Sequence, residues 1–205
     1  MSKKKPLIIF EGIEGTGKTT LINHVSSYLS KKKINFIKIR EPGGSRNSEL
    51  IRKLILNKKN RFNSFTDLML YFAARSENIE KIINKFYNKK IILIDRFTDS
   101  TLAYQHYGMK LDKLLINRIN RKLLRKIKPQ ITFLNIVSEK NLKKRLNKRK
   151  NKNRYDNFQI KFYQKVQKGF LKISKNKRNY ILINSNNSLV ENKKKVLNHI
   201  LKIIN

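Results

Sequence analysis

Gly12-Ile13-Glu14-Gly15-Thr16-Gly17-Lys18-Thr19 satisfies the pattern G-x-x-x-x-G-K-[ST] at every required position, directly after an apolar run, Pro6 to Phe10, and directly before a helical pattern. Strand, glycine-rich turn and helix in that order let backbone N–H groups converge on a phosphate, and the helix N-terminus adds a partial positive charge. Lys18 supplies a mobile point charge for β- and γ-phosphate oxygens, and the Thr19 hydroxyl can ligate Mg²⁺. The eight residues Gly12, Ile13, Glu14, Gly15, Thr16, Gly17, Lys18 and Thr19 are therefore assigned to a nucleoside triphosphate, ATP in the simplest case. The cradle says nothing about the fate of the γ-phosphate, because GTPases, motor ATPases and small-molecule kinases all share it.

Outward from the cradle, further short apolar runs at Ile34 to Ile39, Lys90 to Ile94, Gln130 to Val137 and Asn179 to Ile183 alternate with longer helical patterns. Helices are predicted from Lys18 to about Ser30, Ser48 to Leu56, Phe65 to Tyr87, up to about Arg125, through the basic segment, to about Ser174, and at the end of the chain. This is the βαβ rhythm of a parallel sheet. The expectation is one α/β domain over residues 1–205, with five parallel strands and helices on both faces. Glu41-Pro42-Gly43-Gly44 breaks the chain after the second strand and reads as a site loop. Asp95 closes the third strand and Arg96 follows it, at the edge where open α/β sheets place their ligands.

The chain has 205 residues, no cysteine and a formal charge of +36, from 49 Lys and Arg against 13 Asp and Glu. Such a charge suits nucleic acid. The basic residues run the whole length with Asn and Ile instead of forming one stripe, which favours compositional drift, so a nucleic-acid partner is not expected. No apolar stretch approaches the roughly 18 residues needed to cross a bilayer, and a cytoplasmic enzyme without a membrane partner is expected. Disulfides and thiolate metal sites are impossible without cysteine.

Four more segments decide among the P-loop classes. They are Arg40-Glu41-Pro42-Gly43-Gly44, Tyr71-Phe72-Ala73-Ala74-Arg75, Asp95-Arg96-Phe97-Thr98-Asp99-Ser100 with Ala103-Tyr104-Gln105, and Phe162 to Leu171. With the cradle, they resemble the thymidylate kinase family in order and spacing, from the first strand to the helix after the basic segment. The resemblance implies the P-loop nucleoside monophosphate kinase fold, a homodimer, and transfer of the γ-phosphoryl group of ATP to dTMP with Mg²⁺.

It also implies roles. Glu14 approaches the 3′-hydroxyl of dTMP and the acceptor phosphate region, while Thr19 and Asp95 serve the metal or its waters. Arg96 clamps the dTMP phosphate, for which a planar guanidinium fork is suited. Tyr71 stacks on the base where most relatives have Phe, and Arg75 bonds a thymine carbonyl. Tyr104 and Gln105 contact deoxyribose and pyrimidine. Glu41, Pro42, Arg52 and Thr101 complete the dTMP site.

Some family members carry an arginine inside the P-loop, where this chain has Gly15, so the transferred phosphate needs a cation from elsewhere. A basic lid at about 145–157 offers Arg145, Arg149 and Arg154, with Arg149 and Arg154 taken as catalytic beside Lys18, Arg96 and Glu14. Which of the three reaches the phosphate is open, because Asn153-Arg154-Tyr155-Asp156 stands where relatives usually read Asp-Arg-x-Glu. His24, His106 and His199 are expected to be structural or exposed. The alternatives are another P-loop kinase of small substrates and a nucleic-acid-binding ATPase.

Overall fold

The computed structural model describes residues 5–148, 154–175 and 177–204. Among them five strands, β1 (Leu7–Gly12), β2 (Phe36–Arg40), β3 (Ile91–Asp95), β4 (Ile131–Ile136) and β5 (Tyr180–Asn184), form one parallel sheet in the order β2-β3-β1-β4-β5. The predicted strands are all present, with ends displaced by a residue or two. β1 continues two residues further, through Glu11 and Gly12, because both still pair with β4. β1, β3 and β4 are almost wholly buried. That explains why they read as continuous apolar runs rather than as an alternation.

Side chains alternate across the pleat and meet helices on both faces. Ile8 and Phe10 of β1 join Leu21, Ile22, Val25 and Leu29 of α1 (Lys18–Lys31) and Val196 and Ile200 of α9 (Leu189–Ile204). Leu7 and Ile9 point the other way, into a core with Ile39, Ile79, Ile83, Ile92, Ile94 and Phe97. No helix among the described residues is long and apolar enough to cross a membrane.

α2 (Arg46–Leu56) and α3 (Ser64–Asn78) are each capped by a side chain that accepts an N-terminal amide, Ser45 from Ser48 and Asn63 from Thr66. The long helix predicted over Phe65 to Tyr87 is not uniform. It passes through a π-helical stretch, Ile79–Ile83, into the short α4 (Asn84–Phe86). Asn78, at the change of pitch, uses its side chain on the Glu-Pro-Gly-Gly loop: Oδ1 accepts from Ser45 N (3.0 Å) and Ser48 Oγ (2.8 Å), and Nδ2 donates to Gly43 O (2.5 Å). A Cβ on Gly44, whose φ is 123°, would lie 2.4 Å from Ile39 Cγ2, so only glycine fits this approach of loop to strand.

After β3 come α5 (Thr98–Thr101), a second π-helical stretch, Leu102–Gly108, and α6 (Lys113–Leu124). α7 (Glu139–Asn147) and α8 (Ile160–Ser174) follow β4, with a 3-10 turn, Arg154–Asn157, between them.

Candidate active site

β1 and β3 run side by side in a register that sets Phe10 opposite Asp95, so both carry their chemistry to the same edge of the sheet. The cradle follows β1 and Arg96 follows β3. Gly12 must be glycine here, since its φ is 134° and a Cβ would stand 2.4 Å from the carbonyl oxygen of Asn135. Lys18 reaches back across the loop to Gly12 O (2.8 Å) and Ile13 O (2.7 Å). Burial and the neighbouring Arg96 charge bring its pKa down to about 8. Thr16 O accepts from Ser185 Oγ (2.8 Å) and Asn135 Nδ2 (3.1 Å), tying the loop to β4 and the end of β5.

Above this edge lies a cavity of about 410 Å³, within the size range of small-ligand sites. Residues 14–19 form one part of its wall, and Arg40, Glu41, Pro42, Arg52, Tyr71, Arg75, Asp95, Arg96, Thr101, Tyr104, Gln105, Arg145 and Tyr155 are among the others. Every dTMP-site residue expected from the sequence is therefore brought to one hollow.

Arg96 is the polar centre of the site. Its Nη2 lies 2.7 Å from Glu14 Oε1, its Nη1 donates to Gly12 O (2.9 Å), and its guanidinium sits 5.0 Å from the centre of the Tyr104 ring. The Tyr104 hydroxyl donates to the other Glu14 oxygen. Burial opposes the charge on Glu14, but Arg96 and then Lys18 outweigh it and hold the carboxyl below its ordinary pKa. For Arg96 burial is likewise outweighed, chiefly by Glu14, and its pKa is raised. The residue adopts φ 67°, the left-handed region that costs a side-chain-bearing residue about 1–2 kcal/mol.

Arg75, expected at a thymine carbonyl, lines the cavity and also serves as a buried hydrogen-bond hub. It is 2 % exposed. Its Nε donates to Glu41 Oε2 (2.9 Å), Nη1 to Asn120 Oδ1 (2.8 Å), and Nη2 to Phe97 O (3.1 Å) and Thr101 Oγ1 (2.9 Å). Of its five N–H groups, one on Nη1 has no partner among the described residues, so Arg75 first of all ties α3, the site loop, α5 and α6 together. Among the described residues, Gln105 Nε2 and Glu41 Oε1 are buried without a hydrogen-bond partner, and both residues line the cavity. Arg52 donates to Pro42 O (2.8 Å), and burial, then Arg40, lowers its pKa to about 10. Burial pushes Tyr71 up to about 12, and its ring meets Tyr155 edge-on with centroids 6.2 Å apart.

For a metal, the donors present fit Mg²⁺. Asp95 Oδ1 is buried with no hydrogen-bond partner among the described residues, and Oδ2 accepts from Thr19 Oγ1 at 3.2 Å. Among the described residues no cluster of three or more His, Cys, Asp or Glu could hold a metal by itself.

The lid arginines separate. Arg145 enters the site, with Nη1 on Gly15 O (2.9 Å) and Nη2 on Ser185 O (2.6 Å), and it borders both the main cavity and a neighbouring hollow of about 260 Å³ lined by Thr20, Asn187, Leu189 and Asn192. Arg154 is not in the cavity wall. Its Nη2 is 2.5 Å from Asp67 Oδ1 on α3, and this pair docks the turn that inserts Tyr155 into the cavity. Arg149 lies outside the described residues.

Sequence reading did not single out Glu11, Asp67, Asn78, Asn120 or Tyr155. Only Glu11 and Asp67 carry a signal, as acids among apolar neighbours, which must find partners once buried.

With this geometry in view, the thymidylate kinase family model matches residues 10–196. A thymidylate kinase of Prochlorococcus marinus is 39 % identical over 193 residues, covering 90 % of each chain, and one of Sulfurihydrogenibium is 36 % identical over 187 residues, covering 90 % of this chain and 91 % of that one. The crystal structure of thymidylate kinase from Ehrlichia chaffeensis superposes with a TM-score of 0.78 at 31 % identity, over 97 % of this chain and 99 % of that one. The chain belongs to the thymidylate kinase family.

Proposed function

We propose that this protein transfers the γ-phosphoryl group of ATP to the phosphate of dTMP, giving ADP and dTDP. The observation that carries the reading is a single cavity whose wall is formed partly by the triphosphate cradle and partly by Tyr71, Arg96, Tyr104 and Gln105. Donor and acceptor phosphates thus meet at Arg96 and Lys18.

An oxygen of the dTMP phosphate attacks the γ-phosphorus, and the bond to the β,γ-bridging oxygen breaks with its electron pair leaving on ADP. No general base is needed, because a phosphate monoester loses its second proton near pH 6. The protein's work is alignment and charge. Arg96 grips the acceptor phosphate, Lys18 the β- and γ-oxygens, and Arg145 brings a guanidinium to the loop. Thr19 and Asp95 would hold Mg²⁺, which supplies charge neutralisation on the donor phosphates. Glu14 takes the 3′-hydroxyl, Tyr71 covers the base, Arg75 bonds a thymine carbonyl with Gln105 on the pyrimidine beside it, and Tyr104 crowds a 2′-hydroxyl. The hollow beside Asn187 and Asn192 receives the donor nucleoside, since it shares Gly15, Thr16, Gly17 and Arg145 with the main cavity.

The reading includes a cytoplasmic homodimer. Exposed Leu50 and Leu54 on α2 and Phe65 on α3 support self-association. Sedimentation at two concentrations tests it. A nucleic-acid partner is not part of the reading.

The decisive test is Mg²⁺-dependent ADP release with dTMP, dUMP, dCMP and AMP offered separately. dTMP should dominate, with some dUMP turnover, because room for one methyl group discriminates by only about 1–3 kcal/mol. Turnover centred on AMP would overturn the assignment.

A further inference from the structure

Arg96 holds a backbone conformation that L-residues rarely adopt, so its neighbours must enforce it. Two consecutive residues of β1 do this. Phe10 O accepts the amide of Arg96 (2.9 Å), and Glu11 Oε1 accepts the amide of Phe97 (2.8 Å), one on each side of the strained residue. The same Glu11 oxygen accepts from Ser100 N (3.2 Å), and Oε2 meets Ser100 Oγ at 2.5 Å. The first turn of α5 has no cap from its own N-cap residue, Phe97, and Glu11 satisfies its amides from the neighbouring strand. Glu11 is 1 % exposed and is not in the cavity wall, so it does not touch substrate itself.

We propose that Glu11 is the positioning residue for Arg96, its buried carboxyl fixing the turn from Phe97 to Ser100 so that the guanidinium faces the acceptor phosphate. The proposal rests on the reading of Arg96 as the dTMP clamp.

The test compares wild type with Glu11→Ala, Glu11→Asp, Glu11→Gln and, separately, Arg96→Ala. KM for dTMP, KM for ATP, kcat and the thermal upshift given by each nucleotide are measured. Glu11→Ala should raise KM for dTMP on the order of 10- to 100-fold, as expected for losing a hydrogen bond to a charged group. It should leave KM for ATP nearly unchanged and lose the dTMP upshift while keeping that from ATP. Glu11→Asp, with the carboxyl drawn back by one methylene, should show the same split more weakly. Glu11→Gln keeps an oxygen for both amides and should recover most of the dTMP affinity. If Glu11→Ala does not fold, the Asp and Gln pair carries the same comparison. Equal losses for both nucleotides, no loss for either, or a Gln variant no better than Asp would overturn the proposal. An unchanged KM for dTMP in Arg96→Ala would instead sink the clamp, independently of Glu11.

Discussion

Arg96 and Glu14 form the ion pair at the centre of the site, 2.7 Å apart, with Tyr104 donating to the second oxygen of Glu14. The carboxylate and the hydroxyl hold the guanidinium over the cradle before any phosphate arrives. Arg96→Lys keeps a positive charge but loses the fork. We expect kcat/KM for dTMP to fall by about 10²–10³-fold, the range for removing one preorganised donor, with KM for ATP little changed. Steady-state kinetics with each nucleotide varied in turn read this directly.

Arg145 and Arg154 should behave differently, because one borders the cavity and the other pairs with Asp67. Arg145→Ala should raise KM for ATP and lower kcat. Arg154→Ala should leave KM for ATP nearly intact and cost about 1–3 kcal/mol of stability, by depriving a buried carboxylate of its partner. Equal kinetic losses in both variants would contradict the separation.

Arg75→Met removes a buried cation that serves Glu41, Asn120, Thr101 and Phe97 O. Breaking a buried pair by deleting one partner costs about 3–5 kcal/mol. The urea midpoint should drop accordingly, and a variant as stable as wild type would reassign Arg75 to the base alone.

Burial, assisted by the charge of Asp99, raises Glu11 from 4.5 to about 7. Between those two values the native protein keeps a proton that the unfolded chain releases, so this group's contribution to stability falls as pH rises from 4.5 to 7 and is flat above. The full effect is about 3 kcal/mol. Lys18 has the opposite sign: its pKa falls from 10.5 to about 8, so its contribution improves as pH rises through that interval. Between pH 5 and 7 the unfolding free energy of wild type should fall relative to that of Glu11→Gln, by up to about 3 kcal/mol, and the difference should be flat above pH 7. Parallel curves would remove the shift.

The cradle, the sheet and the cavity wall were legible in the sequence because each rests on local pattern: glycines at fixed spacing, apolar runs, and an Asp-Arg pair at a strand end. What the sequence hid depends on contacts between distant segments. Arg75 reads as a base contact within its own motif, yet its partners Asn120 and Thr101 come from helices 45 and 26 residues away. The π-helical stretches after Asn78 and Thr101 leave no mark in a periodicity that differs so little from an α-helix. Arg145 and Arg154 sit in one basic segment with similar neighbours, and only the placement of Asp67 and Gly15 tells them apart.

The central claim is that Arg96 presents the acceptor phosphate of dTMP to ATP. The most direct measurement is single-turnover transfer of labelled γ-phosphate from ATP to dTMP, comparing wild type with Arg96→Ala at saturating ATP and Mg²⁺. The account predicts labelled dTDP from wild type and a loss of at least about 10²-fold in the variant, with ATP binding retained. Equal transfer by both proteins, or no label reaching dTMP with the wild type, would contradict it.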